Sequence, residues 1–131
     1  MIVKLALDTN AYRALSDGSP KLAALVKSTS QIGLPIIVLG ELYFGIFDGQ
    51  RKSQSSQDLS HFLASPRVEI LHINEDSARI FGEVSAELKK GGKPIQQNDV
   101  WIAALCKQYG YPLATSDKGF ESITGLELRT F

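Results

Sequence analysis

Short apolar runs punctuate this chain, and between them apolar residues recur three and four positions apart. Residues 2–7 (Ile-Val-Lys-Leu-Ala-Leu) carry one charge, and 35–39 (Pro-Ile-Ile-Val-Leu) carry none. Residues 68–73 and 113–115 repeat the pattern. Unbroken apolar runs of this length suit strands covered on both faces. Helical signals fill the intervals. Asp8-Thr9-Asn10 can cap a helix carrying Tyr12 and Leu15, and Ser19-Pro20 sets serine at N-cap and proline at N1 ahead of Leu22, Leu25 and Val26. Gly40-Glu41 is expected to open a helix through Leu42 and Ile46, and the serine- and glutamine-rich stretch 49–60 to form a solvated connection running into a helix with Leu59, Phe62 and Leu63. Asn74 caps the longest amphipathic pattern, with Ile80, Phe81, Val84 and Leu88 on one stripe and Gly91 as its stop. After a loop over 91–97, the segment from Asp99 to about Tyr109 is apolar nearly all round, so it predicts a buried helix ended by Gly110. Residues 126–131 alternate Leu126, Leu128 and Thr130 with Glu127 and Arg129, which fits a sheet edge. Strand and helix alternate throughout, so residues 1–131 predict one α/β sandwich domain with a mainly parallel sheet.

A chain of 131 residues can bury a core without staples. Cys106 is the only cysteine, which excludes an internal disulfide, favours a reducing compartment and reads as a small buried residue. The first apolar run is interrupted by Lys4 and ends at Asp8, too short for a secretory leader, and no window approaches the roughly 20 apolar residues of a membrane span. A cytoplasmic protein with no membrane partner is the expectation. Lys+Arg and Asp+Glu are both 14, so binding of nucleic acid through general basicity is disfavoured; local binding, with bases around an acidic site, is not.

Four carboxylates stand where apolar runs stop or helices are expected to begin: Asp8, Glu41, Asp99 and Asp117. In a parallel sheet those junctions share one edge, where ligands bind. Each acid alone reads equally well as a helix cap. Together they would repel, each unscreened pair costing about 4 kcal/mol at about 4 Å and an effective dielectric near 20. A bound cation or raised pKa values would relieve that. All four are oxygen donors with no histidine or thiolate among them, a set that favours Mg²⁺ or Mn²⁺ over zinc. His61 and His72 lie on other elements and read as ordinary surface or core residues. Thr9, Asn10, Asn98, Thr115 and Ser116 neighbour the acids and could orient them or donate to a phosphate, or simply cap and turn; Lys118 could contact a phosphate. A metal-dependent phosphodiesterase is the first hypothesis.

With these motifs in view, the chain resembles the PIN-domain nucleases, in particular the VapC-like toxins of type II toxin–antitoxin pairs. Leu7-Asp8-Thr9-Asn10 is similar to the first signature of that family, and Glu41-Leu42 with Gly45 to the second. Asn98-Asp99 with Ile102-Ala103-Ala104 is similar to the third, and Thr115-Ser116-Asp117-Lys118 with Phe120 to the fourth. The resemblance implies a three-layer α/β/α sandwich around a parallel five-stranded sheet. It implies RNA cleavage with Mg²⁺ or Mn²⁺ that leaves a 5′-phosphate and a 3′-hydroxyl. Asp8, Glu41, Asp99 and Asp117 map onto the family's acidic cluster, and Thr115 onto its supporting hydroxyl residue. The resemblance also implies a homodimer, a small antitoxin lying over the active site and a larger assembly on DNA through that antitoxin. Tyr12, Leu15, Tyr43, Phe44 and Phe47 are candidates for the antitoxin contact, although ordinary core is the expectation for most of them. Two positions depart from the family pattern: Phe131 stands where a tryptophan is common, and Gln96-Gln97 replace small or proline-rich residues.

Rival readings fit less well. A phosphatase with an aspartyl intermediate wants Asp-x-Asp after the first strand, and Asn10 occupies the second position. A phosphoacceptor receiver wants a lone aspartate closing its third strand, where this chain has Asn74-Glu75-Asp76 entering a helix. A binding module without catalysis would be expected to have lost acids from the cluster. A structure-specific DNA nuclease needs extra elements that 131 residues hardly accommodate.

Overall fold

The computed structural model describes residues 2–131. Its elements run β1 (Lys4–Leu7), α1 (Thr9–Ser16), α2 (Pro20–Lys27), β2 (Gln31–Pro35), α3 (Ile36–Asp48), α4 (Lys52–Leu63), β3 (Val68–Leu71), α5 (Glu75–Lys90), α6 (Gln97–Tyr109), β4 (Leu113–Thr115) and β5 (Leu128–Thr130), with a 3₁₀ turn at Lys118–Ser122. All five strands are parallel, in the order β3-β2-β1-β4-β5. The chain therefore winds outward from the central β1 to β3, then crosses back to lay β4 and β5 on the other side. That reversal makes the carboxyl ends of β1 and β4 the crevice of the sheet. Leu5, Ala6 and Leu7 are buried on both faces of β1, as a strand between two helical layers requires.

Local signals explain most boundaries. Ser19 accepts the Leu22 N–H ahead of Pro20, and Asn74 and Ser77 form a reciprocal capping box at the start of α5. Gly110 ends α6 with φ +75°, a left-handed conformation that favours glycine. α5 and α6 pack along one another, with Phe81 stacked on Trp101 at 4.1 Å between ring centroids. The expected burial of α6 holds: Val100 and every residue from Ile102 to Cys106 are buried. Among the described residues no helix is long and apolar enough to cross a membrane.

Three expectations fail, and one residue connects the first two. The second strand is Gln31–Pro35, and the apolar run 36–39 is the first turn of α3. Pro35 closes β2 and serves as the N-cap of α3, with ψ 138° ending the extended backbone. A short apolar run does not distinguish a buried strand from a buried helix. Glu41 consequently does not open a helix but sits in the second turn of α3. The stretch 49–60 is also less of a loop than its polarity implies. From Lys52 it is already α4, a polar helix anchored by buried Leu59 and half-buried Phe62 and Leu63. β4 spans the expected Leu113–Thr115, β1, β3 and β5 are shorter than their apolar runs, and β5 is the sheet edge that its alternation implies.

Candidate active site

Asp8 leaves the end of β1 with only 6% of its surface exposed. Its Oδ1 accepts the Ala11 N–H at 2.7 Å, so it caps α1 from inside the protein. Thr115, fully buried at the end of β4, accepts the Asp117 N–H at 3.0 Å, and its hydroxyl opposes the rise of the Asp8 carboxyl. One hydroxyl thus acts on both acids that follow the two strands at the crevice. Asp117 is exposed and caps the 3₁₀ turn by accepting the Gly119 N–H at 2.8 Å. Glu41 is half-buried on α3 and accepts the Thr9 hydroxyl at 2.7 Å, which links α3 to the start of α1. Asp99 is half-buried in the first turn of α6, whose N-cap is Gln96, so Asp99 is not there as a cap. Contact between α3 and α6 brings Glu41 and Asp99 to the same side of the molecule.

The electrostatics join these positions. Burial raises the Asp99 carboxyl to about 6, with the charges of Asp117, Glu41 and Asp8 adding in that order. Burial likewise raises Asp8; its bonds to Thr115 and Ala11 oppose the shift, and the charges of Asp117 and Glu41 reinforce it. Neither ion pair among the described residues, Arg79–Glu83 or Arg129–Glu127, neutralises any of the four acids. A divalent cation suits such a donor set, because it answers uncompensated negative charge and the donors are all oxygen. Among the described residues no three His, Cys, Asp or Glu side chains stand close enough to share one ion. The fit to a metal therefore rests on charge and donor chemistry, not on a preformed coordination shell.

Comparison with known proteins bears on the family and the fold. The sequence pattern of the PIN domain matches residues 5–126. The chain belongs to the PIN domain family. Among its relatives, Ribonuclease VapC1 of Haemophilus influenzae is 33% identical over 126 residues, covering 92% of each chain. Ribonuclease VapC2 of Rickettsia felis is 31% identical over 130 residues, covering 95% of this chain and 96% of that one. The structure of VapBC2 from Rickettsia felis bound to a promoter DNA fragment superposes with a TM-score of 0.87 at 27% identity, covering 98% of this chain and 99% of that one. VapBC-1 from nontypeable Haemophilus influenzae superposes with a TM-score of 0.86 at 30% identity, covering 98% of both chains. The resemblance read from four motifs thus extends over essentially the whole chain.

The remaining candidates separate clearly. Thr9 and Thr115 hold acids, as described. Asn10, Ser116 and Lys118 are exposed beside them, and no hydrogen bond among the described residues fixes their side chains. Asn98 shares a groove of about 480 Å³ with Ile36, Ile37, Gly40, Glu41 and Phe44. A second cleft, between α1, α3 and α4 and about 200 Å³, is lined by Tyr12, Arg13, Gly45 and Asp58 and contains none of the four acids. His61 and His72 are exposed, and burial pushes the Cys106 thiol far up, which suits a core residue. The expectation of ordinary core holds for Tyr12 and half-buried Leu15 but fails for Tyr43, Phe44 and Phe47, which are 39%, 70% and 68% exposed. Phe44 follows Glu41 by three residues on α3, so the two share one helical face.

Proposed function

We propose that this PIN domain is an endoribonuclease dependent on Mg²⁺ or Mn²⁺, acting as the toxin of a toxin–antitoxin pair in the cytoplasm. The observation that carries the reading is the set of four carboxylates, drawn from four elements to the crevice of the sheet, two of them with raised pKa values and none paired with a cation among the described residues. Relatives named ribonuclease VapC support RNA as the substrate. Structures of VapBC complexes, one bound to promoter DNA, support a small antitoxin partner and a joint assembly on DNA. A homodimer is part of the same reading.

Asp8, Asp99 and Asp117 would hold the metal partly through its own waters, since they do not stand close enough to share one ion directly, with Glu41 tuning it from the second turn of α3. A bound divalent ion supplies acidity to a water and positive charge against the leaving oxygen. The protein supplies orientation. Thr115 favours the charged Asp8 carboxylate while holding the Asp117 backbone, and Thr9 fixes Glu41. Burial and the charges of the neighbouring acids raise the Asp99 carboxyl to about 6, and a bound cation would favour its charged form. Asn98 and Lys118 are free to meet substrate oxygens at the rim.

Inducing the chain in a bacterial host tests the toxin role. Growth should stop within a generation and resume when the cognate antitoxin is co-expressed, and Asp8→Ala or Asp99→Ala should abolish the arrest. Variants that remain fully toxic would sink the nuclease mechanism.

A further inference from the structure

The groove beside Glu41 is open to solvent and lined mostly by apolar side chains. Its wall is Ile36, Ile37, Gly40, Glu41 and Phe44 of α3, faced by Asn98 of α6. Phe44 stands with 70% of its surface exposed on a helix that buries Val38, Leu39, Leu42 and Ile46. Tyr43 and Phe47 stack on one another at 6.0 Å, whereas no aromatic neighbour covers Phe44 among the described residues. Phe44 follows Glu41 by three residues, so the two side chains are neighbours on one helical face, about 4.5 Å apart along the axis. A Cβ added at Gly40 would meet nothing within 4 Å, so the floor beside the ring is open. Asn98 brings an amide that both donates and accepts, directly before Asp99. An open aromatic face, an apolar floor and one bifunctional amide are the elements by which proteins hold a single-stranded base. The groove is also continuous with the acids: Glu41 lines it and acts electrostatically on both Asp8 and Asp99.

We propose that a nucleobase next to the cleaved bond stacks on Phe44 while Asn98 hydrogen-bonds its edge, which makes these two residues determinants of where the RNA is cut. The proposal rests on the ribonuclease reading above and extends it to a base subsite. Because the groove opens at Glu41, a base seated there leaves its own phosphate at the acid cluster, a geometry a docking protein does not need.

The test uses the full chain with Mn²⁺ and a 5′-labelled single-stranded RNA containing all four bases. Two further RNAs carry an abasic ribose on the 5′ or the 3′ side of the bond that the wild-type protein cuts. Phe44→Ala should raise KM on the intact RNA roughly tenfold with little change in kcat, and Phe44→Trp should stay within about threefold of wild type. On one of the two abasic RNAs the difference between wild type and Phe44→Ala should vanish. Phe44→Ala kinetics equal to wild type on the intact RNA overturn the proposal. A defect that persists on both abasic RNAs also overturns it; if light scattering then shows a changed mass, the face is a contact between copies of the protein. A wild-type protein that cuts none of the RNAs overturns the ribonuclease reading, and this subsite with it.

Discussion

Replacing Asp99 with asparagine removes a charge that burial and three neighbouring carboxylates all oppose. Because the folded carboxyl is raised to about 6 from an ordinary 3.8, ionising it weakens the metal-free fold. The penalty is absent below the unfolded pKa and complete above the folded one, so the metal-free protein should gain stability as pH falls from 8 to 5. Asp99→Asn should raise Tm at pH 8 and flatten that pH dependence, as differential scanning fluorimetry in EDTA would report. Mg²⁺ at about 100 times its Kd should add about 2.7 kcal/mol to the wild type, a gain Asp99→Asn should largely lose. A wild-type Tm unmoved by saturating Mg²⁺ would remove the cation from the account. At this scale position and motif singled out the four acids, and the structure couples them electrostatically. The exposure of Phe44 was not legible, because solvent contact depends on which helix face finds a partner.

Element boundaries were legible wherever one residue carries an unambiguous local signal. Ser19-Pro20, Asn74 and Gly110 each act within their own turn, and each marks a real end. Pro35 misled because proline is compatible both with a strand's last residue and with the position before a helix, and the apolar run behind it buries equally well either way. Tertiary packing decides such cases. Gly33 is a tertiary case of another kind, in the middle of β2, where an added Cβ would come within 2.9 Å of the Tyr111 ring. That ring is held by its hydroxyl bond to Glu69 and by Lys4 over its face. Gly33→Ala should therefore destabilise the protein by about 1–3 kcal/mol, as overpacking typically does, measured by urea unfolding at constant m-value. A change under about 0.5 kcal/mol would mean that Tyr111 yields freely.

Across the whole molecule, topology does what composition cannot. A net charge of zero gives no general hold on RNA, and affinity must come from the neighbourhood of the crevice. The strand order β3-β2-β1-β4-β5 supplies that neighbourhood by bringing residues 8 and 117 to the ends of adjacent strands. The alternation of strand and helix implied a parallel sheet, and the structure bears that out, but the order of strands was not legible in the sequence. Periodicity does not encode which strand lies beside which. Whether the acids at this crevice act with a divalent ion to cut RNA is tested by cleavage of a 5′-labelled RNA by the purified chain in Mn²⁺ or in EDTA, beside Asp8→Ala and Asp99→Ala. Discrete products carrying new 5′-phosphates should form in Mn²⁺ and none in EDTA, with a loss of at least about 10³-fold in rate for either variant; undiminished cleavage in EDTA, or by both variants, would rule out a metal-dependent acid site.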